Sequence, residues 1–185
     1  MKRLARVRQA NAIISAVMLV LFLVHGVGNS FALMGMAMPL GKGLAHVILT
    51  LAVVHAVLGV ILTVATFSAQ REAGVSYVGL NSRFWAVRIS GLAIAPLVAL
   101  HMLTFMLKGD GPYGMRAYAE LEVAANVCLV LAVAIHVIAN TRPMLVSLGI
   151  GAPKAFTDNI MLVLSVLLLL MGVAFVVFYL TWNVM

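Results

Sequence analysis

The chain has 185 residues, of which 64% are hydrophobic and only 9% are charged, and it carries a formal net charge of +7. A water-soluble domain of this length does not bury so large an apolar fraction. Several runs are long enough to cross a hydrocarbon core about 30 Å thick. The composition therefore excludes an ordinary soluble enzyme and predicts an integral membrane protein.

Apolar runs and the breaks between them predict five transmembrane helices in one all-α domain that spans residues 1–185. The predicted helices cover residues 11–36, 43–68, 84–107, 121–146 and 157–182. Gly, Pro and polar residues interrupt the apolar runs at 39–43, 70–74, 108–112 and 151–154. The first apolar run is longer than that of a signal peptide, so we expect a retained first helix.

The distribution of positive charge predicts an orientation. With a cytoplasmic N-terminus, nine of the twelve Lys and Arg residues lie on or near the inner side: Lys2, Arg3, Arg6, Arg8, Arg71, Arg83, Arg88, Arg142 and Lys154. Lys42, Lys108 and Arg116 lie outside. The positive-inside rule thus predicts a cytoplasmic N-terminus and explains the net charge without nucleic acid. The basic inner face could also dock an acidic partner.

The single cysteine, Cys128, lies in an apolar stretch and is expected to be a small core residue. One cysteine cannot hold an iron–sulfur cluster, so any such centre would belong to another chain.

Five histidines lie in the first four predicted helices: His25, His46, His55, His101 and His136. Ionisable residues inside a membrane are costly and need an explanation. Each imidazole could form a hydrogen bond between helices. Together, with almost no carboxylate beside them, they favour axial ligation of haem iron by pairs of histidines. Zinc is disfavoured, because no thiolate or carboxylate accompanies them.

Depth along the helices predicts how the histidines pair. His25 and His101 both fall in the outer half of the membrane, whereas His136 falls in the inner half. The partner of His136 must come from the second helix. His46 is too near the outer end, and His55 is deeper but nearer the middle than an ideal partner. The two lie on opposite helix faces, so they cannot both face the same haem pocket. Depth alone leaves the choice between them open.

Several other residues have two readings each. Gly26, Gly28 and Gly59 lie near predicted ligands and could admit a flat macrocycle or simply allow close helix packing. Arg88 is the one arginine well inside a predicted span, and it could neutralise a haem propionate or extend its side chain to the inner surface.

The pattern resembles a known family, the five-helix, di-haem cytochrome b subunit of succinate dehydrogenases and fumarate reductases (succinate:quinone oxidoreductases). The resemblance covers the first four helices in order. Its motifs are His25-Gly-Val-Gly-Asn29-Ser-Phe31, His55-Ala-Val-Leu-Gly59-Val, Arg88-Ile-Ser-Gly91 followed by His101, and His136 followed by a polar turn and Gly149-Ile150.

This resemblance implies two b-type haems, a distal one held by His25 and His101 and a proximal one held by His55 and His136. It also implies an iron–sulfur subunit and an FAD-containing flavoprotein as partners, menaquinone or ubiquinone as substrate, and the cytoplasmic membrane of a prokaryote as location. Succinate:quinone electron transfer in either direction is the expected function.

Quinone chemistry requires groups that handle protons near a membrane surface. The candidates at the predicted outer side are His46, Glu120 and Glu122, with Lys42 and Arg116 as propionate or headgroup contacts. Two alternative functions are the cytochrome b subunit of a nitrate reductase, formate dehydrogenase or hydrogenase, and a haem-free membrane transporter or assembly protein.

Overall fold

The computed structural model describes residues 2–37, 40–75, 82–106, 120–151 and 153–182. Its elements are α1 (Lys2–Leu33), α2 (Lys42–Glu72), α3 (Ser82–Met106), α4 (Glu120–Ser147) and α5 (Lys154–Trp182). All five are long and apolar enough to cross a membrane. Five predicted spans and an all-α fold are thus confirmed over the described residues.

The helix boundaries agree with the predicted ones within a few residues, except at the start of α1. This helix has 32 residues and begins at Lys2, nine residues before the predicted start. An apolar-run criterion misses this segment because Arg3, Arg6 and Arg8 interrupt the hydropathy, although a charged segment outside the hydrocarbon can continue a helix. The predicted break at 108–112 and part of the break at 39–43 lie outside the described residues.

Gly149 shows how α4 ends. Its φ of +79° is strained for a residue with a side chain. In this conformation the amide of Ile150 donates to the carbonyl of Leu145 at 3.0 Å. The amide of Gly149 donates to the carbonyl of Val146 at 3.1 Å. These two bonds form a Schellman motif, which satisfies carbonyls at the helix end. The break predicted after α4 therefore has a definite backbone cause.

The helices alternate in direction, which collects positive charge at one end of the bundle. At this end, Leu4 of α1 and Val75 after α2 line one pocket, and Arg83, Arg142 and Lys154 line another. We call this end of the bundle the basic end. Helices α1, α3 and α5 begin there, and α2 and α4 end there. The opposite end holds the start of α2 and of α4.

The core lies where α5 packs against α1 and α4. Five large buried residues of α5 follow a spacing of four and three residues, which places them on one face: Leu164, Leu168, Met171, Phe175 and Phe178. In contrast, α2 packs mainly along α1 and has no buried residue. The bundle is therefore tightly packed around α5 and open around α2.

The expectation that Cys128 lies in the core is wrong. The structure places Cys128 on α4 with its side chain exposed. An apolar stretch cannot distinguish a buried position from one that faces lipid, since both environments accept a small apolar side chain.

Candidate functional site

Four of the five histidines meet in two pairs between helices. The ring of His25 on α1 lies 6.4 Å from that of His101 on α3, measured between ring centroids, with an interplanar angle of 74°. The ring of His55 on α2 lies 5.9 Å from that of His136 on α4, at 88°. The structure thus brings together the two sets that depth and resemblance had grouped.

These separations suit two imidazoles on opposite sides of one metal ion. With a metal–nitrogen distance of about 2 Å, and the ring centre about 1.1 Å behind each nitrogen, the centroids would lie about 6 Å apart. Haem iron takes two axial ligands from protein in a six-coordinate centre and receives the others from the porphyrin. Each pair supplies that number of donors, so the donor set fits haem.

His101 is held by a buried hydrogen bond from its Nδ1. The Nδ1 atom lies 2.8 Å from Asn126 Oδ1. Asn126 is only 1% exposed, and its Nδ2 donates to the carbonyl of Glu122 at 2.8 Å, which fixes the orientation of its amide. His101 Nδ1–H must therefore be the donor, and its Nε2 carries the lone pair. Phe105 and Phe175 pack against the same ring, with centroids 4.8 and 6.2 Å away.

His55 is fixed in the same tautomer by Ser15 of α1. Ser15 Oγ lies 3.1 Å from His55 Nδ1 and donates its own proton to the carbonyl of Asn11 at 2.7 Å. The hydroxyl oxygen is consequently the acceptor for His55 Nδ1–H. The lone pair of His55 again resides on Nε2, the nitrogen that a metal would need.

His136 has the third such arrangement. Its Nδ1 lies 3.1 Å from the carbonyl oxygen of Val87, which can only accept, and 3.2 Å from Ser90 Oγ. On its other side, Asn140 Nδ2 donates to Nε2 at 3.2 Å. Gly91 makes room for the ring, since a Cβ there would lie 3.2 Å from His136 Cε1. Ligation through Nε2 would require the amide of Asn140 to turn away.

His25 differs from the other three. Asn29 Nδ2 lies 3.2 Å from its Nδ1, while Asn29 Oδ1 accepts the backbone amide of Leu40 at 2.9 Å. This orientation makes Nδ1 an acceptor and leaves the ring proton on Nε2. Ligation through Nε2 would therefore require Asn29 to rotate and offer its oxygen to Nδ1.

The hydrogen-bond partners also reveal how far apart the two pairs lie. Three helices each carry a histidine of one pair and a hydrogen-bond partner of the other pair, ten or eleven residues apart: Ser15 and His25 on α1, Ser90 and His101 on α3, and Asn126 and His136 on α4. At 1.5 Å per residue these spacings all give about 15–16 Å along the bundle. The pairs thus lie at two distinct depths, with His55–His136 nearer the basic end.

The sequence does not single out these supporting residues, because Ser and Asn are common in membrane helices. The rotation of each helix decides which of these side chains point towards a histidine. The signal that could have found them is the recurrence of a polar residue about three turns before each histidine on α1, α3 and α4.

Arg88 lies on α3 just below the His55–His136 pair on the side of the basic end. Its guanidinium carbon stands 3.9 Å from the centre of the Phe84 ring. Its Nε is buried and makes no hydrogen bond within the described part of the chain. A buried donor without an acceptor is costly, and a haem propionate would supply the missing acceptor.

The quinone candidates lie at the opposite end of the bundle. His46, on the second turn of α2, and Glu120, the first residue of α4, are both exposed, whereas Glu122 is half-buried. The backbone carbonyl of Glu122 accepts the hydrogen bond from the amide of Asn126, the residue that supports His101. Lys42 begins α2 and is exposed. Arg116 lies outside the described residues.

The three glycines near the histidines have different surroundings. A Cβ at Gly26 would lie 2.6 Å from Met171 Sδ, and one at Gly28 would lie 2.6 Å from Leu40 Cδ1. These two glycines therefore serve close packing. A Cβ at Gly59, one turn from His55, would meet open space.

The fold and site together define a bundle of five apolar helices with two histidine pairs at different depths. Comparison of the chain with protein-family models, curated proteins and solved structures finds no match.

Proposed function

We propose that this chain is the di-haem cytochrome b membrane subunit of a succinate:quinone oxidoreductase. His25 and His101 hold the distal haem, and His55 and His136 hold the proximal one. The observation that carries the proposal is that four histidines from four helices meet in two pairs. Within each pair the two ring centroids lie about 6 Å apart.

The hydrogen bonds around the rings support this assignment. A metal-binding histidine commonly donates its second ring N–H to a carbonyl or a side-chain oxygen, which fixes the tautomer and makes the ligand more basic. His55, His101 and His136 each donate in this way, to Ser15, to Asn126 and to Val87. Interhelical hydrogen bonding alone does not require two histidine rings to lie about 6 Å apart in each of two pairs.

Bound in these positions, two six-coordinate haems would supply one-electron carriers at two depths of the membrane. The chain's own contribution is to hold each pair of imidazoles on separate helices, to provide the guanidinium of Arg88 for a propionate, and to keep the rings apart from bulk water. The resemblance described above adds the partners, namely an iron–sulfur subunit and an FAD-containing flavoprotein at the basic end. His46, Glu120 and Glu122 are the candidates for handling protons of menaquinone or ubiquinone at the opposite end.

Native membranes provide the test of this function. Affinity purification of the full chain should recover an iron–sulfur protein and a flavoprotein, and addition of succinate to the purified complex should produce the absorption of reduced b-type haem. The matched control is the same purification from cells that express the double variant His55→Ala, His136→Ala. This variant should lose the succinate-reducible signal of the proximal haem. Recovery of the chain without either partner, or a haem that dithionite reduces and succinate does not, would contradict the proposal.

A further inference from the structure

A cleft of about 290 Å³ lies at the basic end of the bundle, on the side where α3, α4 and α5 meet. Each helix contributes one cation to its lining, Arg83 from α3, Arg142 from α4 and Lys154 from α5. One carboxylate, that of Asp158, lines it as well. Three positive charges against one negative charge leave a surplus of two, so the cleft favours an anion.

The cations are built into the helix ends. Arg83 Nε donates to the carbonyl of Ala139 at 2.7 Å, which ties the guanidinium of α3 to the adjacent helix α4. Lys154 is the first residue of α5, a helix of 29 residues. The positive end of the α5 dipole therefore points into the cleft. The cleft therefore combines side-chain charge from three helices with an oriented helix terminus.

The lining changes from charged to apolar with depth. Ile138 lies four residues from Arg142 towards the middle of the bundle, and Met161 lies three residues beyond Asp158 in the same direction. These separations correspond to about 4.5–6 Å along the helices. A charged rim above an apolar floor over this distance is the polarity profile of a lipid headgroup joined to its acyl chains.

We propose that this cleft binds the phosphate of an anionic phospholipid. An acidic loop of a partner protein would also be attracted by the cations, but it would leave the apolar floor formed by Ile138 and Met161 without a matching group. The proposal is independent of haem binding, because it uses none of the residues around the histidine pairs.

Native mass spectrometry of the detergent-solubilised full chain, titrated with dioleoylphosphatidylglycerol or dioleoylphosphatidylcholine, tests the site. We expect phosphatidylglycerol to bind more tightly than phosphatidylcholine. Each cation near an anionic surface is worth about five-fold in affinity, so Arg142→Gln should weaken phosphatidylglycerol binding by about that factor. Asp158→Asn removes the repelling carboxylate and should strengthen binding by a similar factor. Arg71→Gln is the matched control, because Arg71 is exposed at the same end and does not line the cleft.

The opposite signs expected for Arg142→Gln and Asp158→Asn separate a specific site from a loss of folding. Equal binding of the two lipids, or equal effects of Arg142→Gln and Arg71→Gln, would overturn the proposal. Inorganic phosphate, titrated alone, should bind far more weakly than the lipid. Tight binding of inorganic phosphate, or an Arg142→Gln variant that retains the lipid but loses a co-purifying protein, would instead assign the cleft to free phosphate or to a protein partner.

Discussion

Replacement of Asn126 by leucine removes the acceptor for His101 Nδ1–H while keeping a side chain of similar size. Asn126 is almost fully buried, so bulk water does not readily replace the lost oxygen. The ring of His101 would then keep an unpaired N–H in a packed environment beside Phe105 and Phe175.

The magnitude follows from this single hydrogen bond. An unsatisfied buried donor costs about 1–3 kcal/mol, and loss of such a supporting partner commonly weakens metal binding by about 10–100-fold. The acceptor also makes the imidazole a stronger donor to ferric iron. If the hydrogen bond differs by about 1 kcal/mol between the two oxidation states, its loss raises the reduction potential of that haem by about 40 mV. A haem at the other histidine pair, about 15 Å away along the bundle, should change little.

If the chain holds two haems as proposed, a redox titration of the purified protein, followed by visible absorption, should resolve them as separate one-electron steps. We expect Asn126→Leu to lose one step or to shift it upward, and Asn126→Asp, which retains an acceptor, to keep both steps. Asn159→Leu is the control, because Asn159 is exposed on α5. Two unshifted steps of full amplitude in Asn126→Leu would show that Asn126 does not support a haem ligand.

Three further perturbations test other parts of the site. His55→Ala should abolish the low-spin signal of the proximal haem, whereas His46→Ala should keep both haems and slow quinol oxidation; haem loss in His46→Ala alone would reverse the assignment on α2. Gly91→Val should push the ring of His136 out of place, because even a Cβ at this position would lie 3.2 Å from His136 Cε1. The visible spectrum should then show loss of one haem. Full haem content would contradict the close packing of His136 against Gly91. Arg88→Gln should lower the potential of the proximal haem by tens of millivolts, since a nearby positive charge favours the reduced form; an unchanged redox titration would mean that Arg88 extends to the membrane surface instead.

The positions of the membrane helices could be read from the sequence because their signal is one-dimensional. A span needs about 20 apolar residues, and this requirement does not depend on which helices are neighbours. The pairing of His25 with His101 could also be anticipated, because the rise per residue converts position in a helix into depth. The choice of His55 over His46 rested on resemblance, and the structure places His55, not His46, opposite His136.

The remaining features depend on helix rotation and on neighbours far away in the chain. Ser15 contacts His55 across 40 residues, and Asn126 contacts His101 across 25. Hydropathy contains no information about such contacts, because one polar residue changes the average of a long window very little. The exposure of Cys128 was not foreseen either, since lipid and protein neighbours are equally apolar.

The most direct test of the central claim is the haem content of the purified chain, determined by the pyridine haemochrome method together with protein quantitation. With four axial histidines we expect about two b-type haems per chain. We expect about one in His101→Ala and in His136→Ala, with the low-spin spectrum of the remaining haem unchanged. A content of zero or one in the unaltered protein, or two in either variant, would contradict the proposed di-haem site.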